Sequence, residues 1–210
     1  MRLQLPKKMT HIWVGPKRQP IEWMRTWQVL HPDWEYSVIT DSDLWSREWV
    51  LKEQMLEYYR RGFFNGVADL IRYETLYADG GFLPPADAIC LHSVDELLCS
   101  PPEYCYTVYE SEKHKPHYVS PILACAPDNE FVRELILALK KKEPKKLTDA
   151  VWAETGNAFV AKMILRLKPN ITIWPSHYFI PQHYSSNRRY DGQDKVYADQ
   201  LWGTTKGIYS

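Results

Sequence analysis

The chain has 210 residues, and its 26 Lys and Arg balance its 26 Asp and Glu to a formal net charge of zero. That length lies just above the ~100–200 residues usual for one domain, so one domain is expected and two are conceivable, and the absent basic excess argues against a general nucleic-acid binder. With 45% hydrophobic and 25% charged residues the composition argues against disorder as the main state.

The first apolar run, His11-Ile12-Trp13-Val14, reads as a short buried strand closed by the turn Gly15-Pro16. Pro20 opens a helix that places Trp23, Trp27 and Leu30 on one face, and His31-Pro32-Asp33 ends it. A strand follows at Tyr36–Ile39, then a helix capped by Asp41 or Ser42 and running toward Arg60. The segment Gly66–Asp79 is helical, with Val67, Leu70, Ile71, Tyr73 and Tyr77 apolar and Gly80-Gly81 as its stop. Strands are expected around Phe82-Leu83 and over Ala88–Leu91, a helical turn over Ser93–Leu98, and strands again at Tyr104–Tyr109 and Ile122–Ala126. A helix beginning at Pro127 carries Phe131, Val132, Leu135, Ile136 and Leu139 and ends on Lys140-Lys141-Lys142, which suits the negative end of the helix dipole. Thr148 caps a further helix, Asn157–Lys168 forms another, and Ile171–Trp174 is a strand. Beyond Pro175 the chain reads as an irregular tail.

Strands alternating with helices predict an α/β layered domain, whose ligands sit beyond the carboxyl ends of the strands. The segments after Val14 and Leu83 are therefore where chemistry is expected. None of the cysteines, Cys90, Cys99, Cys105 and Cys125, stands in a C-x-x-C pair, so no zinc or thioredoxin-like motif is present. Met1–Thr10 lacks an apolar run long enough for a signal peptide, and no stretch approaches ~18 uninterrupted apolar residues, so a cytoplasmic protein without a membrane span is expected. The 29 aromatic residues are expected to lie mainly in the core, with some free to stack on a sugar or base.

Asp69 and Arg72 stand i,i+3 on one helix face. By spacing alone they read either as a surface ion pair worth ~0–1 kcal/mol or as part of a site. The ordered set His11-Ile-Trp-Val-Gly15, Trp23-Met-Arg-Thr-Trp27, His31-Pro-Asp-Trp-Glu-Tyr36, Ala68-Asp-Leu-Ile-Arg-Tyr73, Tyr77-Ala-Asp-Gly-Gly81 and Asp87-Ala-Ile-Cys-Leu91 decides between them. It resembles the DXD-type sugar transferases that include the fungal initiating mannosyltransferase, the animal α-galactosyltransferases and the catalytic domains of large clostridial toxins. About half the chain carries the resemblance, which weakens after Leu98.

The resemblance implies a Rossmann-like GT-A fold in one domain, residues 1–210, with a mixed central sheet. Residues 1–98 would form the nucleotide-sugar and metal half, and residues 99–210 the acceptor side and tail. It implies a nucleotide-sugar donor, a UDP-sugar such as UDP-glucose or UDP-galactose being favoured over GDP-mannose. It also implies Mn²⁺ or Mg²⁺, retention of anomeric configuration, and a carbohydrate or other hydroxyl acceptor. Ile12, Trp13, Val14 and Gly15 would line the nucleotide site, with Gly80 and Gly81 beside it. Asp69 would accept hydrogen bonds from ribose or sugar hydroxyls, and Arg72 would steady carboxylates or phosphate.

Two departures stand out. Where the family has Asp-x-Asp, this chain has Pro85-Ala86-Asp87, so the second carboxylate, the family's direct metal ligand, survives without the first. Proline supplies neither charge nor N–H. Near the C-terminus Gln200 stands where the family has a metal-binding His, with Asp199 beside it, so both enter the expected metal set with Asp87. Glu154 is a candidate for stabilising a cationic sugar, against a solvated or capping role. The leading expectation is a metal-dependent retaining hexosyltransferase with slow donor hydrolysis. A catalytically impaired nucleotide-sugar binder, motivated by Pro85, and a lectin-like module, motivated by the aromatics, are the alternatives.

Overall fold

A computed structural model describes residues 3–208. Met1, Arg2, Tyr209 and Ser210, the ends of the expected domain, lie outside the described residues. The chain runs β1 (Lys8–Ile12), α1 (Ile21–Leu30), β2 (Glu35–Ile39), α2 (Asp41–Ser46), α3 (Lys52–Arg60), α4 (Phe64–Asp79), β3 (Gly81–Phe82) and β4 (Ala88–Cys90). It continues through β5 (Cys105–Ser111), β6 (Lys115–Val119), β7 (Ala124–Cys125), α5 (Glu130–Lys140), α6 (Val151–Glu154), α7 (Asn157–Leu167), β8 (Ile171–Trp174), β9 (Ala198–Gln200) and α8 (Gly203–Lys206).

The main sheet is mixed. β1 lies between β2 and β3, parallel to both; β3 pairs antiparallel with β7, and β7 with β5. β5 also pairs antiparallel with β6, while its other edge takes β8 in parallel. One sheet therefore runs through both expected halves of the chain. Alternation along each strand sorts the core into two layers. Ile12, Leu83 and Cys125 join the cluster built on α3, α4, α5 and α7, whereas Met9, Phe82, Tyr106 and Ala124 join the other. The second layer holds much of the aromatic excess: Trp27 packs on Phe82 and stacks on Phe179, and Trp174 stacks on both Tyr106 and Phe179. Buried Trp27 stays satisfied because its Nε1 donates to the Ala88 carbonyl at 2.9 Å.

Gly81 makes the centre of the sheet close. Its φ is +93°, and a Cβ there would fall 2.3 Å from the Lys8 carbonyl oxygen. A side chain would push β3 off β1.

Three expectations need correction. The helix expected from Asp41 to Arg60 is two helices. α2 is capped by Thr40, whose backbone N–H and hydroxyl both donate to Asp43, and it stops at Ser46. α3 begins only at Lys52 because Glu74 of α4 accepts the Val50 and Leu51 N–H groups, both at 2.7 Å. A cap supplied 23 residues away leaves no local trace. Second, β1 begins at Lys8 rather than His11, and β6 is a strand that the sequence did not suggest. Third, the tail after Pro175 is not irregular throughout, since β9 pairs with β4. Among the described residues no helix is long and apolar enough to cross a membrane.

The sheet also buries charge-bearing groups. His11 is fully buried on β1, with Nδ1 3.0 Å from the Tyr36 hydroxyl and Nε2 without a partner. Burial, helped by the Arg72 charge, pulls its pKa from 6.5 to about 3. Burial also lowers His31, whose Nδ1–H donates to the Trp27 carbonyl while Nε2 accepts from Val94 N–H. Below pH 6.5 the unfolded chain takes protons that these folded imidazoles refuse. Their contribution to stability is therefore present above pH 6.5 and lost as the pH falls toward 3. Urea unfolding midpoints are expected to drop across this window, and His11→Leu should flatten the drop. An equally steep drop in that variant would clear His11 of the effect.

Candidate active site

Helix α4 carries the two charged residues that the sequence singles out. They sit one turn apart, yet they do not pair with each other. The Thr155 hydroxyl donates to Asp69 Oδ2 at 2.8 Å, while the Arg72 guanidinium donates to the Leu83 carbonyl and, at 3.5 Å, to that of Ile122. The surface-ion-pair reading is thereby set aside. Burial raises the Asp69 carboxyl to about 6, partly opposed by the Thr155 hydroxyl and the Arg72 charge. The same burial lowers the Arg72 pKa, with Asp69 opposing. Arg72 stays charged, its loss of water offset by two carbonyl oxygens from the chain beside β3 and β7.

The turn between α6 and α7 fits this helix because Gly156 has no side chain. A Cβ there would sit 3.2 Å from Asp69 Oδ2 and 3.2 Å from the Trp152 Cα. Tyr73, the next residue along α4, donates its hydroxyl to the Thr155 carbonyl at 2.5 Å. Thr155 is thus held from both sides and holds Asp69 in turn.

Arg72 and Pro85 from the first half of the chain line a pocket of about 170 Å³ with Glu110, Asn157, Gln200 and Trp202 from the second. One wall is the C-terminal segment, and Asp87 ties it down. Asp87 Oδ1 accepts from Gln200 Nε2 at 2.6 Å, Oδ2 from Gly203 N–H at 3.1 Å, and the Asp87 carbonyl from Leu201 N–H at 2.8 Å. The antiparallel pairing of β4 with β9 sets Ala88 opposite Gln200. On the next residues Trp202 adopts φ +60° and donates its Nε1 to the Gln182 carbonyl at 2.9 Å.

Of the predicted residues only Arg72 and Gln200 line this pocket; Asp69 and Asp87 stand behind its wall, and others lie elsewhere. Asp199 alternates with Gln200 on β9 and pairs with Arg189 at 2.8 Å. Glu154 pairs with Lys142 at 2.8 Å at the end of α5, so the expected cation-stabilising carboxylate is engaged elsewhere. Gly80 is the C-cap of α4, with φ +66° and packed on Pro127, and Gly81 serves the β1–β3 contact; neither lines the pocket. Ile12 to Gly15 leave the carboxyl end of β1. Trp13 there donates its indole N–H to the Lys17 carbonyl at 2.7 Å, and Gly15 N–H donates to the Asp41 carboxylate.

The donor set around Asp87 does not compose a cation site. Both Asp87 oxygens accept from N–H groups, so the Gln200 side chain turns its amide nitrogen, a donor and not a metal ligand, toward the carboxylate. Among the described residues no three His, Cys, Asp or Glu side chains gather where they could hold a metal. A cation taking most of its ligands from phosphate and water would find here a single carboxylate, each oxygen of which already accepts one N–H.

Glu110 was missed by sequence reasoning. It is 7% exposed and lines the pocket near the end of β5. Asn157 Nδ2 donates to its Oε2 at 2.6 Å, and His183 Nε2 lies 3.2 Å from its Oε1. The expected strand stopped at Tyr109, one residue short; carrying the strand period of two on from Tyr106 and Val108 places position 110 on their face. His183 also lines a second cavity of about 350 Å³, with Lys113, His114, His177, Arg188 and Tyr190. The two cavities meet at Ile180.

Residues 18–106 match the family model of the glycosyltransferase sugar-binding region containing the DXD motif. Asp69, Arg72 and Asp87 fall within that span; the pocket residues from β5 onward fall beyond it. The fold is similar to the solved structure of PaToxG glycosyltransferase, with a TM-score of 0.63 and 14% identity, covering 77% of this chain and 69% of that one. No curated protein matches the chain. The regional match covers less than half of the chain, and the structural likeness shows a fold shared with that glycosyltransferase structure.

Asp87→Ala should free the pocket wall. Losing two hydrogen bonds to a carboxylate is expected to cost about 1–3 kcal/mol of stability. In chelator-containing buffer, amide exchange over residues 198–203 should speed up in the variant. Unchanged exchange there would show that the wall stands without Asp87.

Proposed function

We propose that this chain, a GT-A-fold glycosyltransferase with the DXD-type sugar-binding region, transfers a hexose from a nucleotide-sugar, a UDP-sugar before a GDP-sugar, to a hydroxyl acceptor with retention. The observation that carries the reading is the composition of the 170 Å³ pocket. It sets the Arg72 guanidinium and the Glu110 carboxylate in one enclosure at the carboxyl ends of the strands, where an α/β sheet binds its ligands. A guanidinium suits a diphosphate, and carboxylates suit sugar hydroxyls.

In this reading the nucleotide runs along Ile12–Gly15 and the diphosphate faces Arg72. Asp69 accepts a hydroxyl hydrogen bond from the donor. The acceptor enters through the 350 Å³ cavity and approaches the anomeric carbon on the face that the diphosphate leaves. A bond forms from the acceptor oxygen to the anomeric carbon as the bond to the phosphate oxygen breaks. The phosphate oxygen keeps the electron pair and takes the hydroxyl proton. Arg72 stabilises the negative charge that develops there. The residues around Asp87, a single carboxylate faced by N–H groups, do not fit the divalent metal that the resemblance implies.

A second reading, a nucleotide-sugar binder with impaired transfer, draws on the same observation at Asp87 and on Pro85, which brings no charge to the pocket.

Nucleotide release from a panel of UDP- and GDP-sugars, with Mn²⁺ and with chelator, tests both. Release from one donor supports transfer, binding without release supports the second reading, and no binding of any donor would sink both. Donor binding is expected to persist in chelator; complete loss there would restore a required cation at Asp87. The acid limb gives a further check. Asp69 accepts as a carboxylate only above its pKa of about 6 in the free protein. The donor kcat/KM should therefore fall as the pH drops through about 6. Asp69→Asn should lower donor affinity and lack that limb; a limb of the same midpoint in the variant would assign it to another group.

A further inference from the structure

We infer that Glu110 recognises the donor sugar, accepting hydrogen bonds from its hydroxyl groups, with Asn157 and His183 as the residues that position it. This rests on the reading that a nucleotide-sugar fills the pocket.

Four observations converge. First, Glu110 follows Tyr106 and Val108 on one face of β5, and those two residues are 1% exposed. A carboxylate that continues an apolar face into near-burial is costly unless its oxygens are satisfied.

Second, its satisfaction is incomplete. A carboxylate offers about four lone-pair sites. Asn157 takes one on Oε2 and His183 one on Oε1, and the side chain forms part of the pocket wall. Acceptor capacity remains on a group that borders the space a ligand would fill.

Third, the histidine is oriented for this task. Its Nδ1 accepts from the Ser185 backbone N–H at 3.3 Å and lies 2.7 Å from the Ser185 hydroxyl. A backbone N–H can only donate, so Nδ1 carries no proton, and the proton on Nε2 points at Glu110. Asn157, the first residue of α7, approaches from the opposite element. The carboxylate is thereby held in one place before any ligand arrives.

Fourth, the charge on Glu110 has no Lys or Arg partner within 4 Å among the described residues; His183 is its only basic neighbour there. An uncompensated anion repels a diphosphate and welcomes hydroxyl donors. Arg72 lines the same pocket with the opposite preference. The pair gives the pocket a polarity, with phosphate toward Arg72 and sugar toward Glu110, and so fixes which way round a donor binds.

The test compares ligands that differ only in the sugar. Calorimetry would measure UDP-glucose against UDP, and GDP-mannose against GDP, on wild type and Glu110→Gln. The glutamine amide would set an N–H₂ group where hydroxyls need an acceptor. Affinity for the nucleotide-sugar is expected to fall about 10-fold or more, as for a lost hydrogen bond to a charged group, while affinity for the free nucleotide stays within about 2-fold. Equal losses for both ligands, or no loss for either, would overturn the role of Glu110 and leave the donor reading intact. Wild type that binds neither nucleotide-sugar would overturn the donor reading and the inference with it. Should Glu110→Gln fail to fold, His183→Ala carries the test. It leaves the carboxylate present but unheld, so the same sugar-selective loss is expected, and a loss shared by the free nucleotide would overturn the inference.

Discussion

The pocket depends on one carboxylate and its own carbonyl. Asp87 accepts hydrogen bonds from Gln200, Leu201 and Gly203, and so fastens a segment more than a hundred residues later in the chain against the end of β4. Gln200 and Trp202 form one side of the enclosure, held there by that fastening together with the β4–β9 pairing and the Trp202–Gln182 hydrogen bond. Hydrogen bonds to a charged acceptor are among the stronger ones a protein makes, and two of them, with a third to the backbone carbonyl of the same residue, hold a short strand that has little intrinsic tendency to form. The residue that occupies the metal-ligand position of the DXD pattern thus acts here as an anchor. Pro85 accompanies this change: with no first carboxylate, two N–H donors satisfy the second.

Helix α4 supplies the electrostatics. It carries Asp69 and Arg72 into the interior one turn apart without letting them neutralise each other, since each has a separate partner. The consequence is a carboxyl raised to about 6 and a guanidinium held by backbone oxygens, both beside the closely packed centre of the sheet. The same low-polarity surroundings pull His11 to about 3, and the Arg72 charge reinforces the shift. Charged groups held in such surroundings by neutral partners alone cost some stability.

Glu110 and Arg72 divide the pocket between them. One reaches it from β5 and the other from α4, and no motif links them in sequence. His183 connects the Glu110 carboxylate to the wall of the larger cavity, where Lys113, Arg188 and three histidines gather. The two cavities are therefore neighbours that share a structural member rather than separate features of the surface.

Much of the architecture was legible from local pattern. The apolar faces of α1, α4 and α5, the Gly80-Gly81 stop and the strand at Ile171–Trp174 follow from periodicity and backbone chemistry that each segment carries within itself. The ordered motifs around Asp69, Arg72 and Asp87 likewise fall in the span that the family model matches, because short-range spacing is written in the sequence itself. What the sequence could not express were partnerships between distant segments. Glu74 breaks the helix expected over residues 41–60, Arg189 takes Asp199 away, Lys142 takes Glu154, and β9 exists only because β4 is beside it. The chemical types of Glu110, Asn157 and His183 were written in the chain. Their convergence was decided by the fold, since a hydrogen bond between residues 47 or 73 positions apart depends on where the sheet and helices bring the backbone, and no local rule encodes that.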